Sequence, residues 1–285
     1  MARKSKTKHY PVVRRGQLFR QSPDPIGPNM EVDFAKNLSK VNRRLYRQAR
    51  TYEVKLDIPA NSTSAQINVY ALADNWMNHR ALKMAYDMYL ENSESERSRL
   101  KEGNLARWED FRTMSGAGIT VADPLQYDET FNPSFFLQGE FGLTSVVDAA
   151  GQQKYFSWGA PTLSRYSILA EYDLAGDAQS TPDRTTNDAP YSELMADDSA
   201  TMGSELQNNG NSPPYDADGV GADKAWVKVA TLGTGASQKL STGFFHAPCG
   251  LVLLNTVAGD NVPDQVAWEV KSGDYKGVSA PSMLE

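Results

Sequence analysis

One cysteine, three histidines and no long apolar run leave this chain of 285 residues few routes to chemistry. Cys249 alone excludes an internal disulfide framework, which fits folding in a reducing compartment. No run of about 18 apolar residues is present to form a membrane helix, and the N-terminus lacks the apolar core of a signal peptide; a soluble chain with no membrane partner is expected. A structural Zn²⁺ site needs four ligands at helpful spacing, whereas His9, His79 and His246 are scattered and there is a single thiol. As nucleophile and base, Cys249 and His246 would face opposite ways on one strand, so Cys249 reads as a small buried side chain. The phosphate-cradling GxxxxGK[ST], a strand–GxGxxG–helix unit and a GxSxG elbow are all missing. Carboxylates are plentiful, yet no two stand out as a glycosidase pair. Adjacent Glu109 and Asp110 would point to opposite faces of a strand. The reading is therefore no enzyme, no cofactor and no metal.

What the chain does have is charge sorted by position. The formal net charge is −6. Residues 1–50 hold 13 Lys/Arg against 3 Asp/Glu, and the remaining 235 hold 16 against 32. A basic head on an acidic body is more telling than the overall balance. Residues 1–29 carry Arg3, Lys4, Lys6, Lys8, Arg14, Arg15 and Arg20, then PDPIGP, which excludes helix; they read as a mobile basic arm. Over 30–50, Phe34, Leu38, Val41 and Leu45 share one helical face. Lys36, Lys40, Arg43, Arg47 and Arg50 share the opposite face, with Arg44 at its margin. This predicts a basic amphipathic helix, docked on protein by one face and offering cations to phosphate by the other.

From residue 51 the pattern is that of a β body. Tyr52, Val54, Leu56 and Ile58 alternate with Glu53, Lys55 and Asp57, a half-buried strand ended by Pro59. Ala65, Ile67, Val69 and Ala71 predict a second. Met77, Ala81, Met84 and Met88 form a helical stripe within an inserted helical excursion over 75–101; Asn92-Ser93 interrupts it, and Ser93 with Glu96 has capping-box spacing for a second short helix. In ARWEDFR (106–112), Trp108 and Phe111 are expected anchors. FNPSFFLQGEFGLTSVVD, KYFSW and RYSILAEYD read as short strands. Residues 173–223 contain 11 acidic residues and one basic residue, Arg184, too polar for a core and therefore an acidic surface loop. Its Asp216, Asp218 and Asp223 lack the full Ca²⁺-loop ligand series. Strands resume at 225–232, 242–254 and 265–271.

About eight strands with an inserted helical excursion predict an all-β fold: a single eight-stranded antiparallel jelly roll over 51–285, an architecture shared by viral capsid domains. On such a body, cations at one end would meet polyanion, by sequence-independent and salt-sensitive binding. Acidic loops would keep the outer surface hydrated.

Four segments also resemble the capsid proteins of small circular single-stranded DNA viruses, the CRESS-DNA group, in particular its marine and environmental members: the basic N-terminus, ERSRLKEGNLARWEDFR (96–112), STGFFHAPCGLVLL (241–254) and SGDYKGV (272–278). The resemblance implies self-assembly into a small icosahedral shell, a basic arm facing a packaged single-stranded DNA genome, and residence in the virion after assembly in the host nucleus. The arm departs from the arginine-dense arms of circovirus relatives by its moderate basicity and its amphipathic helix, and RNA-virus capsids also join basic arms to jelly rolls. The other reading is a non-viral, lectin-like β-sandwich with a basic nucleic-acid-binding or nuclear-targeting tail, in which Trp158, Tyr166, Trp226 and Trp268 would include ligand-facing aromatics.

Overall fold

A computed structural model describes residues 11–19, 29–58, 66–98, 108–116, 120–121, 123–127, 133–135, 142–148, 151–175, 225–233, 239–256 and 265–285. The chain is mostly β, in largely antiparallel sheets with few helices. Alternation of inward apolar side chains builds its first strands: β1 (Arg15–Phe19), β2 (Asn29–Asp33), β3 (Thr51–Asp57) and β4 (Gln66–Leu72). Leu18, Met30 with Val32, Val54 with Leu56, and Ile67 with Val69 are their buried faces. A short helix, α1 (Phe34–Asn42), lies between β2 and β3, and the long α2 (Trp76–Arg97) follows β4. Six brief strands come next: β5 (Thr120–Val121), β6 (Asp123–Tyr127), β7 (Pro133–Phe135), β8 (Ser145–Val147), β9 (Gln153–Ser157) and β10 (Arg165–Ser167). Helix α3 (Ile168–Leu174) precedes the last four strands: β11 (Trp226–Gly233), β12 (Phe245–Pro248), β13 (Leu251–Thr256) and β14 (Gln265–Val270).

One sheet runs β12-β3-β14-β1-β6-β7 and a second β11-β4-β13-β2-β5; a small third sheet runs β10-β9-β8. The two larger sheets share one hydrophobic core, in which Leu18, Val54, Leu56, Trp268 and Val270 of the first meet Val32, Ile67, Val69, Leu232 and Val252 of the second. Phe34 sets its ring edge-on to Trp268 at 5.9 Å, closing that core from α1. A second cluster joins Ala81, Leu82 and Ala85 of α2 to Phe111, Phe156, Trp158, Leu169 and Tyr172. Thus the excursion between β4 and β11 buries its own apolar surface beside the sandwich.

Several expectations are corrected. The helix expected over 30–50 spans only Phe34–Asn42. Met30 and Val32 alternate into the sheet, Asp33 caps the helix by accepting Lys36 N–H at 2.8 Å, and Arg43 ends it with φ 49. Neither is residues 1–29 all arm: Arg15–Phe19 is a strand flanked by β14 and β6. The β body therefore begins well before residue 51. Asn92-Ser93 does not break α2, because Ser93 Oγ donates back to Tyr89 O at 2.7 Å within a continuous helix. RYSILAEYD is a three-residue strand and then α3, capped by Ser167 Oγ on Ala170 N–H. The apolar run 242–254 is two strands in different sheets. Between them Pro248 and Cys249, the latter at φ 57, form a type II corner closed by Gly250 N–H to Ala247 O at 2.9 Å. Of the two expected anchors, Phe111 is buried in the second cluster, whereas Trp108 is exposed.

Candidate nucleic-acid interface

Of the cations singled out in the sequence, Arg14, Arg15, Lys36, Lys40, Arg43, Arg44, Arg47 and Arg50 are described; Arg3, Lys4, Lys6, Lys8 and Arg20 lie outside the described residues, as do Asp216, Asp218 and Asp223. They do not form one helical face. Phe34 and Leu38 are fully buried beneath α1, Val41 packs against the same core, and Leu45 is half-buried beyond the helix. Lys36 and Lys40 are half-buried on α1, Lys40 in its last turn where the helix dipole favours a cation. Besides Arg15, the exposed cations of this set are Arg43, Arg44 and Arg47, on the connector 43–50 between α1 and β3.

That connector is held from within. Ser39 Oγ donates to Ala35 O at 2.7 Å and accepts Tyr46 N–H at 2.8 Å, pinning the chain as it leaves the helix. Tyr46 is buried and donates to Lys276 O at 3.0 Å; Tyr52 donates to Arg47 O at 2.6 Å. Gln48 is buried, its N–H on Asp110 Oδ2 at 2.8 Å and its Nε2 on Thr113 O at 3.0 Å. With Tyr46 and Gln48 turned inward, Arg43, Arg44 and Arg47 project outward. Arg50 serves the frame instead: its guanidinium stacks 3.7 Å over the Tyr275 ring and donates to Ala280 O at 2.7 Å.

Sequence reasoning missed Lys276. It tips a two-residue hairpin closed by paired Tyr275 and Val278 backbone groups, with φ 52 at Lys276 and 91 at Gly277. Positive φ at both central residues is the type I′ geometry, and the Lys-Gly dipeptide between Tyr275 and Val278 was the available signal. Lys276 is exposed and its ammonium donates to Leu45 O, on the connector. Exposed Asp274 is the nearby opposing charge in the sequence.

The N-terminal segment crosses this same region. Asn42, the last residue of α1, accepts Val13 N–H at 2.8 Å and donates to Val13 O at 2.9 Å, a two-point clamp. Val12 lies against Gly277, where an added Cβ would come within 2.8 Å of Val12 Cγ2. The chain therefore passes between the end of α1 and the 275–278 hairpin. Residues 1–10, with Arg3, Lys4, Lys6 and Lys8, precede this clamp in sequence. Arg14 is half-buried, and Arg15 is exposed but pairs with Glu269 at 2.8 Å.

Carboxylates lie beneath. Asp33 Oδ2 accepts Arg112 Nη2 at 2.5 Å, both side chains being buried. Glu31 accepts Ser115 Oγ at 2.5 Å, and burial raises its carboxyl above the ordinary value. Loss of hydration pushes Asp110 up to about 6, against the Gln48 N–H and the charges of Arg112 and Arg47. Elsewhere, His79 and His246 meet on one carboxylate: His79 Nε2 is 2.8 Å from Asp74 Oδ1 and His246 Nδ1 is 2.7 Å from Asp74 Oδ2. Burial opposes ionisation of Asp74, but the two histidine hydrogen bonds outweigh it and hold the carboxyl below its usual range. His246 is thus engaged away from Cys249, whose buried thiol faces Met283 Sδ at 3.9 Å and is pushed well up by desolvation. Among the described residues no three His, Cys, Asp or Glu side chains converge on a metal position. Trp158 and Trp268 are core, and Tyr166 and Trp226 are half-buried. Exposed cations on a hydrogen-bonded connector, beside the path of Val12 and Val13, are what this surface offers chemically. No protein-family model, curated protein or solved structure matches the chain.

Proposed function

We propose that this chain is a viral capsid subunit. Its body is a jelly roll that self-assembles into a small icosahedral shell, and its basic N-terminal arm with the adjoining connector holds the genome, single-stranded DNA, by phosphate contacts without sequence preference. The virion is then its place of residence and the host nucleus its place of assembly.

The observation that carries the reading is the path of Val12 and Val13, which follow the basic residues 1–10 in sequence, past Asn42 and Gly277 beside the connector of Arg43, Arg44 and Arg47 and the hairpin of Lys276. Cations of the connector and of the hairpin meet there. Each phosphate neutralised releases condensed counterions, so such a surface binds nucleic acid of any sequence and weakens steeply with salt. The strand pairing supports the jelly roll. If the excursion β5–β10 is set aside, eight strands remain, and they pair as one long hairpin folded over: β1 with β14, β2 with β13, β3 with β12, and β4 with β11. Alternate pairs fall in opposite sheets, and β14·β3 and β13·β4 complete each sheet. Such nesting is what a double Greek key requires, and it supports the jelly-roll reading.

Electron microscopy and sedimentation of the purified full chain test the proposal. Uniform closed particles with nuclease-protected nucleic acid are expected, and the extracted nucleic acid should be sensitive to DNase. A chain that stays monomeric across salt and pH overturns the capsid assignment; protected RNA overturns only the choice of DNA.

A further inference from the structure

A groove of about 880 Å³ opens beside the sandwich, lined by Met84 and Met88 of α2, Val146 and Val147 of β8, and Ile168 and Leu174 of α3. Its lining on α2 runs from Met84 to Ser93, roughly 14 Å at about 1.5 Å per residue. Apolar side chains stand open along it: Met88 is 49% exposed, Val147 69% and Leu174 81%. Single apolar side chains on a surface need no explanation, but several gathered in one groove mark a place of contact. The charges around the groove are acidic. Glu171 is exposed among the lining residues. Asp87 and Glu91, also exposed, lie three positions on from Met84 and Met88, in the next row of the helix surface. Asp148 is answered by Lys154 at 3.4 Å, whose ammonium also lies 4.6 Å over the Tyr166 ring. Among the described residues no Lys or Arg lines the groove itself.

We infer that this groove is a docking site for a basic amphipathic helix of a partner protein, seated by its apolar face and held by cations along its margins. An apolar stripe at i, i+3, i+4 and i+7 spans roughly 11 Å of helix, within the length of the groove along α2. Met84 and Met88 suit such a guest, because unbranched thioether side chains re-pack around an inserted group. Charge selects among occupants. Like charge argues against the chain's own stretch 173–223, with 11 acidic residues and one basic. It argues equally against the body of a second copy, which holds 32 Asp/Glu against 16 Lys/Arg over 51–285. Residues 1–10 of a second copy have the right sign, but Met1, Ala2 and Tyr10 are their apolar residues and make no helical stripe. Nucleic acid has the wrong sign here, so this groove and the candidate phosphate contacts at Arg43, Arg44 and Arg47 call for different partners.

The test is fluorescence anisotropy of a labelled helical peptide of about 14 residues, titrated with the purified full chain. The probe is built of Leu and Lys with Leu at helical spacing; a control of the same composition has its Leu residues scattered round the helix. The amphipathic peptide should bind about 10-fold or more tightly than the control. Met88→Glu and Leu174→Glu, each at an exposed side chain, should weaken it roughly 10-fold. Glu171→Lys should weaken it about 3- to 10-fold at low salt and less at high salt. Leu163→Glu, at a leucine 84% exposed outside the groove, should leave binding unchanged. Equal binding of the two peptides would reduce the effect to attraction by an acidic body and overturn the proposal. So would no binding at all, or binding that neither Met88→Glu nor Leu174→Glu weakens. Loss of self-association in those two variants, with no peptide bound by wild type, would give the groove to a second copy and overturn the partner helix. Should Met88→Glu fail to fold, Leu174→Glu, at the most exposed of the lining side chains named, decides the matter.

Discussion

At Arg43, folding and the proposed phosphate contact pull in opposite directions. The residue closes α1 at φ 49, a left-handed conformation that glycine adopts freely and a side chain bearing Cβ adopts at a cost of about 1 kcal/mol. Replacing Arg43 with Gly should therefore raise stability by about 0.5–1 kcal/mol, read by urea denaturation, while weakening oligonucleotide binding at low salt. A variant that is both less stable and equally tight would refute the assignment. Gly277 is held more strictly, because φ 91 and the contact with Val12 both exclude Cβ. Asp110 has a pH signature of its own. Its folded value of about 6 lies above the ordinary 3.8, so the folded chain binds the proton more tightly. That contribution is full below about 3.8 and is lost as pH rises through about 6. Asp110→Asn, a mimic of the protonated form, should be about 1–2 kcal/mol more stable than wild type at pH 7.5 after allowance for solvent screening. The difference should shrink toward zero by pH 4; a constant difference across that range would place the effect elsewhere.

Among the elements, those with a clean period were legible in the sequence. Alternation gave β3 and β4 nearly to the residue, and the Met77–Met88 stripe gave α2. β1 and β2 were hidden because each is only five residues long; the apolar side chains seen to insert among the described ones are Leu18 in one and Met30 with Val32 in the other. The cations around them then favoured a single arm and helix. The helical period across 30–50 is real only where Phe34 and Leu38 meet the core; beyond Asn42, Tyr46 and Gln48 turn inward on hydrogen bonds that no periodicity encodes. The Asp33 cap just before Phe34 was the overlooked start signal. Of the candidate interface, the sequence pointed to Arg43, Arg44 and Arg47, whereas Lys276 and Val13 are brought to them only by contacts across 231 and 29 residues of sequence. Since α1 is anchored chiefly by Phe34 and Leu38, Leu38→Ala should cost about 2–5 kcal/mol by lost burial and the cavity left behind. Denaturant titration reads it directly. A loss under about 1 kcal/mol would mean that α1 is not packed as described.

For the whole molecule, the separation of charge becomes a mechanical arrangement. The sequence suggests deleting residues 1–50 to test the arm, but that cut would remove β1, β2 and α1, and with them Leu18, Val32, Phe34 and Leu38 from the central core. Loss of nucleic acid would then report unfolding. The informative cut is residues 1–10, just ahead of the Val13 clamp, which leaves both sheets and the hairpin contact intact. The truncated chain should melt within a few degrees of wild type while losing Arg3, Lys4, Lys6 and Lys8. At about 0.7 counterions per phosphate on single-stranded nucleic acid, the slope of log affinity against log salt should flatten by about 3. Changing Arg43, Arg44, Arg47 and Lys276 to Gln in that background should flatten it by about 3 more, because these cations sit on the folded frame and act independently of the tail. If the tail deletion alone abolishes the salt dependence, the connector contributes nothing and the polyanion is held by the tail. If neither change alters the slope, the cations of this face are not where the polyanion binds.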